Sequence, residues 1–188
     1  MQKYVEILRK YSPSEESFGI VLRHSLEVLS KSIEIVSRKS LYDEVDFDLI
    51  VSGAILHDIG AMEFIERKKG DDDFTRKGVG KTELPDYICH GMIGASILEK
   101  EGLEREALIA KRHTGAGLAR EEIVANGWDM LHEDFLPVSL EEKIICYADK
   151  FSSKTPSKKD TLETIEKEFE SYGEGPLKRF LELKEMFE

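Results

Sequence analysis

The sequence contains few of the residues that mark disulfide-rich or collagen-like proteins. Among its 188 residues there are two cysteines, five prolines and fourteen glycines. Two cysteines are too few for a disulfide scaffold and fit a reducing compartment, and so few prolines and glycines exclude collagen-like and low-complexity classes. No apolar run is long enough to span a bilayer, and the charged start, Met1 to Glu6, lacks the apolar stretch of a signal peptide. We therefore expect a cytoplasmic protein.

Acidic residues outnumber basic ones, with 38 aspartates and glutamates against 27 lysines and arginines and a net charge of −11. Such a surface repels nucleic-acid backbones and anionic membranes, so we expect neither a nucleic acid polymer nor a membrane as the main partner. Asparagine and glutamine occur once each, as Asn126 and Gln2. Because thermophile proteins often avoid these labile amides and use many ion pairs, the composition is typical of a thermophilic source.

Apolar periodicity predicts helices along most of the chain, and strand-like alternation of useful length is lacking. We expect helices over about 2–11, from Ser14 to about 38, from Asp46 to Gly60, over 87–100, 104–113 and 119–125, from Ser139 to about Lys150, and twice more after residue 158. Ser14 and Asp46 are the expected N-caps, and Ser139 with Glu142 has the pattern of a capping box. The length and the pattern predict one compact all-α domain over 1–188.

Two segments are predicted to lie outside the helices. Residues 66–86 contain two lysines before a glycine, three consecutive aspartates and a Gly-Val-Gly-Lys stretch. This composition predicts a long surface loop, which in a compact domain is either mobile or functional. Residues 152–160 have the composition of a polar linker.

A histidine and an aspartate stand side by side at the end of a strongly apolar predicted helix. His57 and Asp58 directly follow the apolar run 54–56. A buried charge is costly unless it is paired or bound to a metal. His24 and Asp149 also lie among apolar residues, on two other predicted helices. Each residue alone is accounted for by an ordinary role as a core histidine or a helix-terminal carboxylate. The four together favour a metal site for Mn, Fe, Co, Ni or Zn, or for Mg where carboxylates dominate.

The order of these residues resembles the signature of the HD-domain superfamily of metal-dependent phosphohydrolases, and His57-Asp58-Ile59-Gly60 matches the form that many members carry. The resemblance covers about residues 18–151 and implies a multi-helix bundle, on which helices within 158–188 pack. Two further histidines, His90 and His113, resemble the subgroup that holds two metal ions.

In that subgroup the two ions share one aspartate. The resemblance implies that a first divalent ion is bound by His24, His57, Asp58 and Asp149. It implies that Asp58 bridges to a second ion held by His90 and His113.

The resemblance implies a hydrolase that uses metal-activated water to cleave a phosphoester or phosphoanhydride of a nucleotide or a similar small phosphorylated metabolite. Asp58 and His57 are the implied catalytic residues. Two ions about 3.5–4 Å apart can hold nucleophile and phosphate together, and a metal lowers the pKa of bound water to about 7. Among the basic residues near the motif, Arg112 is favoured as the phosphate clamp because guanidinium matches phosphate oxygens, and Lys150 is a second substrate-binding candidate.

The sequence departs from the family pattern at several positions. Ala61 follows the motif where many members carry lysine, and the Gly-Tyr-Pro motif of the cyclic-di-nucleotide phosphodiesterase branch is absent. His132 has no place in the pattern and is expected at the surface or behind the ligands. Two other functions stay open, namely a di-iron oxygenase-type HD protein and a non-catalytic, nucleotide-binding regulatory HD domain. Metal identity and a homo-oligomeric state are also left open.

Overall fold

The fold is all-helical in the part of the chain that the structure, a computed structural model, describes. The described residues are 1–67, 87–128, 132–152 and 161–188. Within these ranges the regular structure consists of α-helices and 3₁₀ turns, and isolated bridges stand in place of strands. The predicted all-α class is therefore confirmed. In the same ranges, no helix combines the length and the apolar character needed to cross a membrane.

The α-helices are numbered in chain order. They are α1 (Gln2–Lys10), α2 (Glu15–Arg38), α3 (Phe47–Leu56), α4 (Met62–Arg67), α5 (His90–Lys100), α6 (Glu104–Arg112), α7 (Arg120–Asn126), α8 (Leu140–Asp149), α9 (Leu162–Tyr172) and α10 (Glu174–Phe187). Single 3₁₀ turns, Ile59–Ala61 and Tyr87–Cys89, precede α4 and α5. The third helix was expected to reach Gly60, but α3 ends at Leu56 and the first 3₁₀ turn follows it.

The N-termini of α2 and α3 are capped as predicted. The Ser14 hydroxyl accepts a hydrogen bond from the Ser17 amide at 3.2 Å, and the Ser17 hydroxyl accepts one from the Ser14 amide at 3.3 Å. The Asp46 carboxylate accepts from the amides of Asp48 and Leu49 at 3.1 and 3.2 Å. Both caps satisfy amides that the first helical turn leaves without a partner.

The capping box predicted at the start of α8 is half formed. Ser139 Oγ accepts from the Glu142 amide at 3.2 Å, as expected. The Glu142 carboxylate instead accepts from the Val138 amide at 2.8 Å and from Arg112 Nη1 at 3.0 and 3.1 Å. The reciprocal half of the prediction was wrong, because a guanidinium from α6 provides stronger, charge-assisted bonds to this carboxylate.

The main core lies between α2, α3, α6 and α8. Val21 on α2, Ile50 and Ile55 on α3, and Ile145 on α8 are fully buried. Helix α3 contacts the three other helices, which explains why nearly all of its sequence is apolar. This central position places the residues that follow α3 within reach of side chains from its neighbours.

Gly60 allows the backbone after α3 to approach α5, and Gly91 allows α5 to approach α6. A Cβ atom on Gly60 would lie 2.2 Å from the carbonyl oxygen of His90 and 2.5 Å from the amide nitrogen of Gly94. A Cβ atom on Gly91 would lie 2.6 Å from the carbonyl oxygen of Ala110. Because a side chain at these positions would separate the backbones, Gly60 sets how closely α5 approaches the end of α3, and Gly91 sets how closely α5 approaches α6.

The C-terminal helices pack on α8 through aromatic rings. Phe180 on α10 stacks on Phe169 of α9 at 4.6 Å between centroids and lies 5.8 Å from the ring of Tyr147 on α8. The Tyr147 hydroxyl donates to Glu188 at 3.0 Å, and Arg38 donates to the same carboxylate at 3.2 Å. These contacts join the end of α10 to both α8 and α2.

The predicted non-helical segments lie only partly within the described residues. Helix α4 runs to Arg67, so the first residues of the predicted loop 66–86 are helical. Residues 68–86, and residues 153–160 of the predicted linker, lie outside the described residues. Gly173 alone separates α9 from α10, since α10 begins at the next residue.

Candidate metal centre

His57 and Asp58 are completely buried at the C-terminal end of α3. His57 is the C-cap of this helix, with φ −52° and ψ −34°, whereas Asp58 precedes the 3₁₀ turn with φ −104° and ψ 14°. The change of backbone conformation lets two consecutive side chains face one centre. His57 Nε2 accordingly lies 3.9 Å from Asp58 Oδ2.

Side chains from α2 and α8 complete a first ligand group around this pair. The first ligand group consists of His24, His57, Asp58 and Asp149. His24 Nε2 lies 2.9 Å from Asp149 Oδ1 and 3.2 Å from His57 Nε2. It lies 3.3 Å from Asp58 Oδ2, and His57 Nε2 lies 3.4 Å from Asp149 Oδ1.

A second ligand group lies on the other side of the same aspartate. It consists of Asp58, His90 at the start of α5 and His113 at the end of α6. Asp58 Oδ1 lies 3.3 Å from His90 Nε2 and 3.4 Å from His113 Nε2. The two imidazole nitrogens are 3.0 Å apart.

Asp58 is shared by the two groups, because its Oδ2 faces the first and its Oδ1 faces the second. The groups also adjoin through imidazoles, since the rings of His57 and His113 have centroids 4.8 Å apart. Ligand atoms of His57, Asp58 and His113 lie within 4.8 Å of one another. The structure thus brings together the six side chains that the sequence analysis selected, while their binding of metal stays a prediction.

Backbone carbonyls fix the orientation of three imidazoles. His57 Nδ1 lies 2.9 Å from the carbonyl oxygen of Ala54, and His113 Nδ1 lies 2.8 Å from that of Ala110. His90 Nδ1 lies 2.7 Å from the carbonyl oxygen of Tyr87, whose ring also stacks on His90 at 4.5 Å. A carbonyl only accepts hydrogen bonds, so each Nδ1 carries the proton. In a neutral ring the lone pair then lies on Nε2, the atom that faces the ligand groups.

These lone pairs fit a divalent metal. In the second ligand group, two unprotonated Nε2 atoms would face each other at 3.0 Å, together with a carboxylate oxygen. The lone pairs of these acceptors repel one another unless a cation or an additional proton lies among them. Imidazole and carboxylate donors suit Mn, Fe, Co, Ni and Zn, and a carbonyl bonded to the other ring nitrogen is a common feature of metal-binding histidines.

The buried charges shift the pKa values of the ligands in different directions. Burial lowers the pKa of His113 to about 4, despite the opposing effect of Asp58. Burial also acts to lower the pKa of His57, but Asp58 and Asp149 outweigh it and the net shift is upward. Burial acts to raise the pKa of Asp149, but Lys150 and the imidazoles hold it well below its usual range. At neutral pH, His113 and Asp149 are therefore in their metal-binding forms.

The ligand groups are enclosed on most sides. Asp149 is 13% exposed and Lys150 is 12% exposed, whereas the histidines of both groups are nearly or fully buried. Lys150 Nζ contacts Asp149 Oδ2 at 2.7 Å.

Arg112 is held by Glu142, so its role as a phosphate clamp stays a prediction that requires this ion pair to open. His132 is exposed, which agrees with a surface position.

Sequence reasoning missed the groups that orient the ligands. The carbonyls of Ala54, Tyr87 and Ala110 each lie three residues before the histidine that they bind. The spacing is present in the sequence, but any residue type supplies a carbonyl. These hydrogen bonds can be predicted only when the end of the preceding helix or turn is known.

Comparisons with known proteins identify the family. The model of the HD domain family matches residues 21–154. An uncharacterized protein of Methanocaldococcus jannaschii is 36% identical over 151 residues, which cover 78% of this chain and 76% of that protein. This match extends over most of both chains.

Two other relatives are longer proteins. The tRNA (cytidine(56)-2'-O)-methyltransferases of Picrophilus torridus and Thermoplasma volcanium are 31% and 28% identical to this chain and match 78% and 79% of it. The match covers 38% and 35% of these enzymes, so the chain spans little more than a third of their length. Among solved structures, the L. monocytogenes phosphodiesterase PgpH HD domain aligns with a TM-score of 0.51 and 15% identity, covering 98% of this chain and 94% of that one. This likeness supports the fold.

Proposed function

Because the chain belongs to the HD-domain family, we propose that it is a metal-dependent phosphohydrolase. Its substrate in this proposal is a nucleotide or a similar small phosphorylated metabolite, cleaved at a phosphoester or phosphoanhydride bond. The observation that carries the proposal is the buried Asp58 carboxylate, whose two oxygens face two separate groups of imidazoles. This arrangement fits two divalent ions at a fixed separation, which is the requirement for holding a phosphate and its nucleophile together.

The residues of the two ligand groups perform distinct tasks in this proposal. When bound, divalent cations supply the positive charge and the water activation that phosphate hydrolysis needs. Asp58 fixes the relative positions of the two groups, and His57 is held by the Ala54 carbonyl with Nε2 directed at the centre. The near-complete burial of the ligand side chains strengthens the electrostatic interactions among them. Asp58 and His57 are the proposed catalytic residues.

The charge of the whole molecule restricts the substrate. With a net charge of −11, the surface repels long polyanions but leaves a small phosphorylated molecule able to reach a local cationic centre. We therefore propose a small substrate and neither a nucleic acid polymer nor a membrane as partner. The names of the methyltransferase relatives refer to tRNA, but this chain matches little more than a third of those proteins.

A metal and nucleotide screen tests the proposal. Protein stripped with a chelator is reloaded with Mn²⁺, Fe²⁺, Co²⁺, Ni²⁺, Zn²⁺ or Mg²⁺ and assayed for phosphate release from nucleoside mono-, di- and triphosphates and dinucleoside polyphosphates. We expect metal-dependent hydrolysis that Asp58→Asn lowers about 100-fold or more, because the shared ligand is lost. The matched control Asp43→Asn removes an exposed carboxylate and should leave the rate unchanged.

Each other outcome selects a different function. Metal binding without hydrolysis of any substrate in the panel would overturn the hydrolase proposal. Oxygen consumption supported by iron alone would then favour the di-iron oxygenase, to which the imidazole-rich donor set is also suited. Tight nucleotide binding without turnover would favour the regulatory domain.

A further inference from the structure

Lys150 contacts residues of both ligand groups. It follows Asp149 directly, as the C-cap of α8. Its Nζ donates to Asp149 Oδ2 at 2.7 Å and to the carbonyl oxygen of His113 at 3.2 Å. The side chain is 12% exposed. One ammonium group therefore joins a ligand of the first group to a ligand of the second.

The bond to Asp149 determines which carboxylate oxygen faces the imidazoles. Oδ2 is held by Lys150, while Oδ1 lies 2.9 Å from His24 Nε2 and 3.4 Å from His57 Nε2. Asp149 is the last residue of α8, where the helix dipole disfavours a negative charge. The adjacent ammonium offsets this effect through its contact with Oδ2.

The bond to His113 fixes the end of α6. The ring of His113 is oriented by the Ala110 carbonyl at 2.8 Å, but this bond lies within the same helix. The backbone carbonyl of His113 is contacted from α8, by Lys150 Nζ at 3.2 Å and by Cys146 Sγ at 3.5 Å. The distance between α6 and α8, and hence between His113 and Asp149, depends in part on these contacts.

A lysine beside a phosphate-cleaving centre is expected to bind the substrate, and the sequence predicts that role for Lys150. Both of these contacts are made to the protein instead, in a largely buried position. We infer that Lys150 is a positioning residue. It fixes the positions of Asp149 and His113 relative to each other and thereby sets the metal affinity of the centre. The inference rests on the proposed metal-dependent function and deepens it.

Metal titration separates positioning from substrate binding. Chelator-stripped protein is titrated with Mn²⁺ by calorimetry without substrate, and metal content is measured by mass spectrometry after dialysis. We expect Lys150→Met to weaken Mn²⁺ binding about 10–100-fold, as is typical when a group that orients a metal ligand is lost. Lys150→Arg, which keeps the charge and the donors, should recover most of the affinity. Lys143→Met, two turns earlier on α8, is the matched control and should bind Mn²⁺ like the wild type.

The outcomes distinguish the inference from the proposed function. Unchanged Mn²⁺ affinity in Lys150→Met, with a raised KM for the nucleotide, would overturn the inference and assign Lys150 to the substrate. Wild-type protein that binds none of the divalent metals would overturn the proposed function and the inference together. Circular dichroism checks that the variants fold. If Lys150→Met does not fold, Lys150→Gln replaces it, and wild-type Mn²⁺ affinity in that variant would also overturn the inference.

Discussion

The imidazoles of His57 and His113 lie edge to face with centroids 4.8 Å apart, yet their pKa values are shifted in opposite directions. For His113, burial is the largest effect and lowers the pKa to about 4. For His57, the nearby carboxylates of Asp58 and Asp149 exceed the effect of burial and raise the pKa above its usual value. A proton in the metal-free centre is therefore expected on His57 and not on His113.

Nitrogen NMR of the metal-stripped protein tests this assignment. We expect His113 to titrate well below pH 6.5, near pH 4, and His57 to titrate above pH 6.5. Between pH 4 and 6.5 the unfolded state binds more protons at residue 113, so its contribution to stability rises with pH. The contribution of His57 is present below pH 6.5 and is lost as the pH rises through its folded pKa. Single His→Gln variants assign the signals, and a His113 midpoint at or above 6.5 would contradict the expected burial effect.

His90 and His113 were indicated only by the family resemblance. The other four candidate ligands could be predicted from the sequence because each combines a metal-binding side chain with apolar neighbours. The roles of the basic residues could not, because they depend on which carboxylate each cation meets in three dimensions. Arg112 meets Glu142, and Lys150 meets Asp149. The first of these contacts crosses from one helix to another, and local sequence contains no signal for such a pairing.

At the scale of elements, glycine has opposite consequences in two parts of the chain. Gly60 lies where the 3₁₀ turn meets α5, and a Cβ atom there would be 2.2 Å from the His90 carbonyl oxygen. Gly19 lies in the interior of α2, and among the described residues no atom beyond its chain neighbours and the adjacent helix backbone would lie within 4 Å of its Cβ. Packing therefore requires the first glycine, whereas the second only adds flexibility to the unfolded chain and weakens the helix.

Alanine substitutions at Gly60 and Gly19 form a matched pair that tests this difference. We expect Gly60→Ala to lower the free energy of unfolding by about 1–3 kcal/mol, since the backbones must separate to admit the methyl group. We expect Gly19→Ala to raise it by about 0.5–1 kcal/mol. Guanidinium denaturation followed by circular dichroism measures both. Wild-type stability in Gly60→Ala would show that the approach of α5 to the end of α3 is not tightly packed.

Element boundaries were predictable where a local signal marks them. Ser14 and Asp46 cap α2 and α3 through their own side chains, and Gly127 ends α7 in the left-handed conformation with φ 64°. The end of α3 was not predictable to the residue. Its last predicted turn becomes a 3₁₀ turn because the backbone there meets α5 through Gly60 and Gly94, a contact between distant parts of the sequence.

At the scale of the whole molecule, the C-terminal helices are linked to the candidate metal centre through α8. Tyr147 is fully buried, lies two residues before Asp149 on the same helix and packs against Phe180 of α10. Phe180 in turn stacks on Phe169 of α9 at an interplanar angle of 10°. The prediction of one domain over 1–188 requires that these helices unfold together with the rest of the bundle.

Calorimetry of a Phe180→Ala variant tests this cooperativity. Removing a fully buried ring should cost about 3–5 kcal/mol. In a chain of this size that loss corresponds to a fall in Tm of about 6–20 °C. The transition should stay single, with equal calorimetric and van't Hoff enthalpies, because the ring connects α9 and α10 to α8. Leu181→Ala, at a position that is 41% exposed on the same helix, should shift Tm far less. A second, separate transition in the Phe180→Ala variant would show that the C-terminal helices fold as an independent unit.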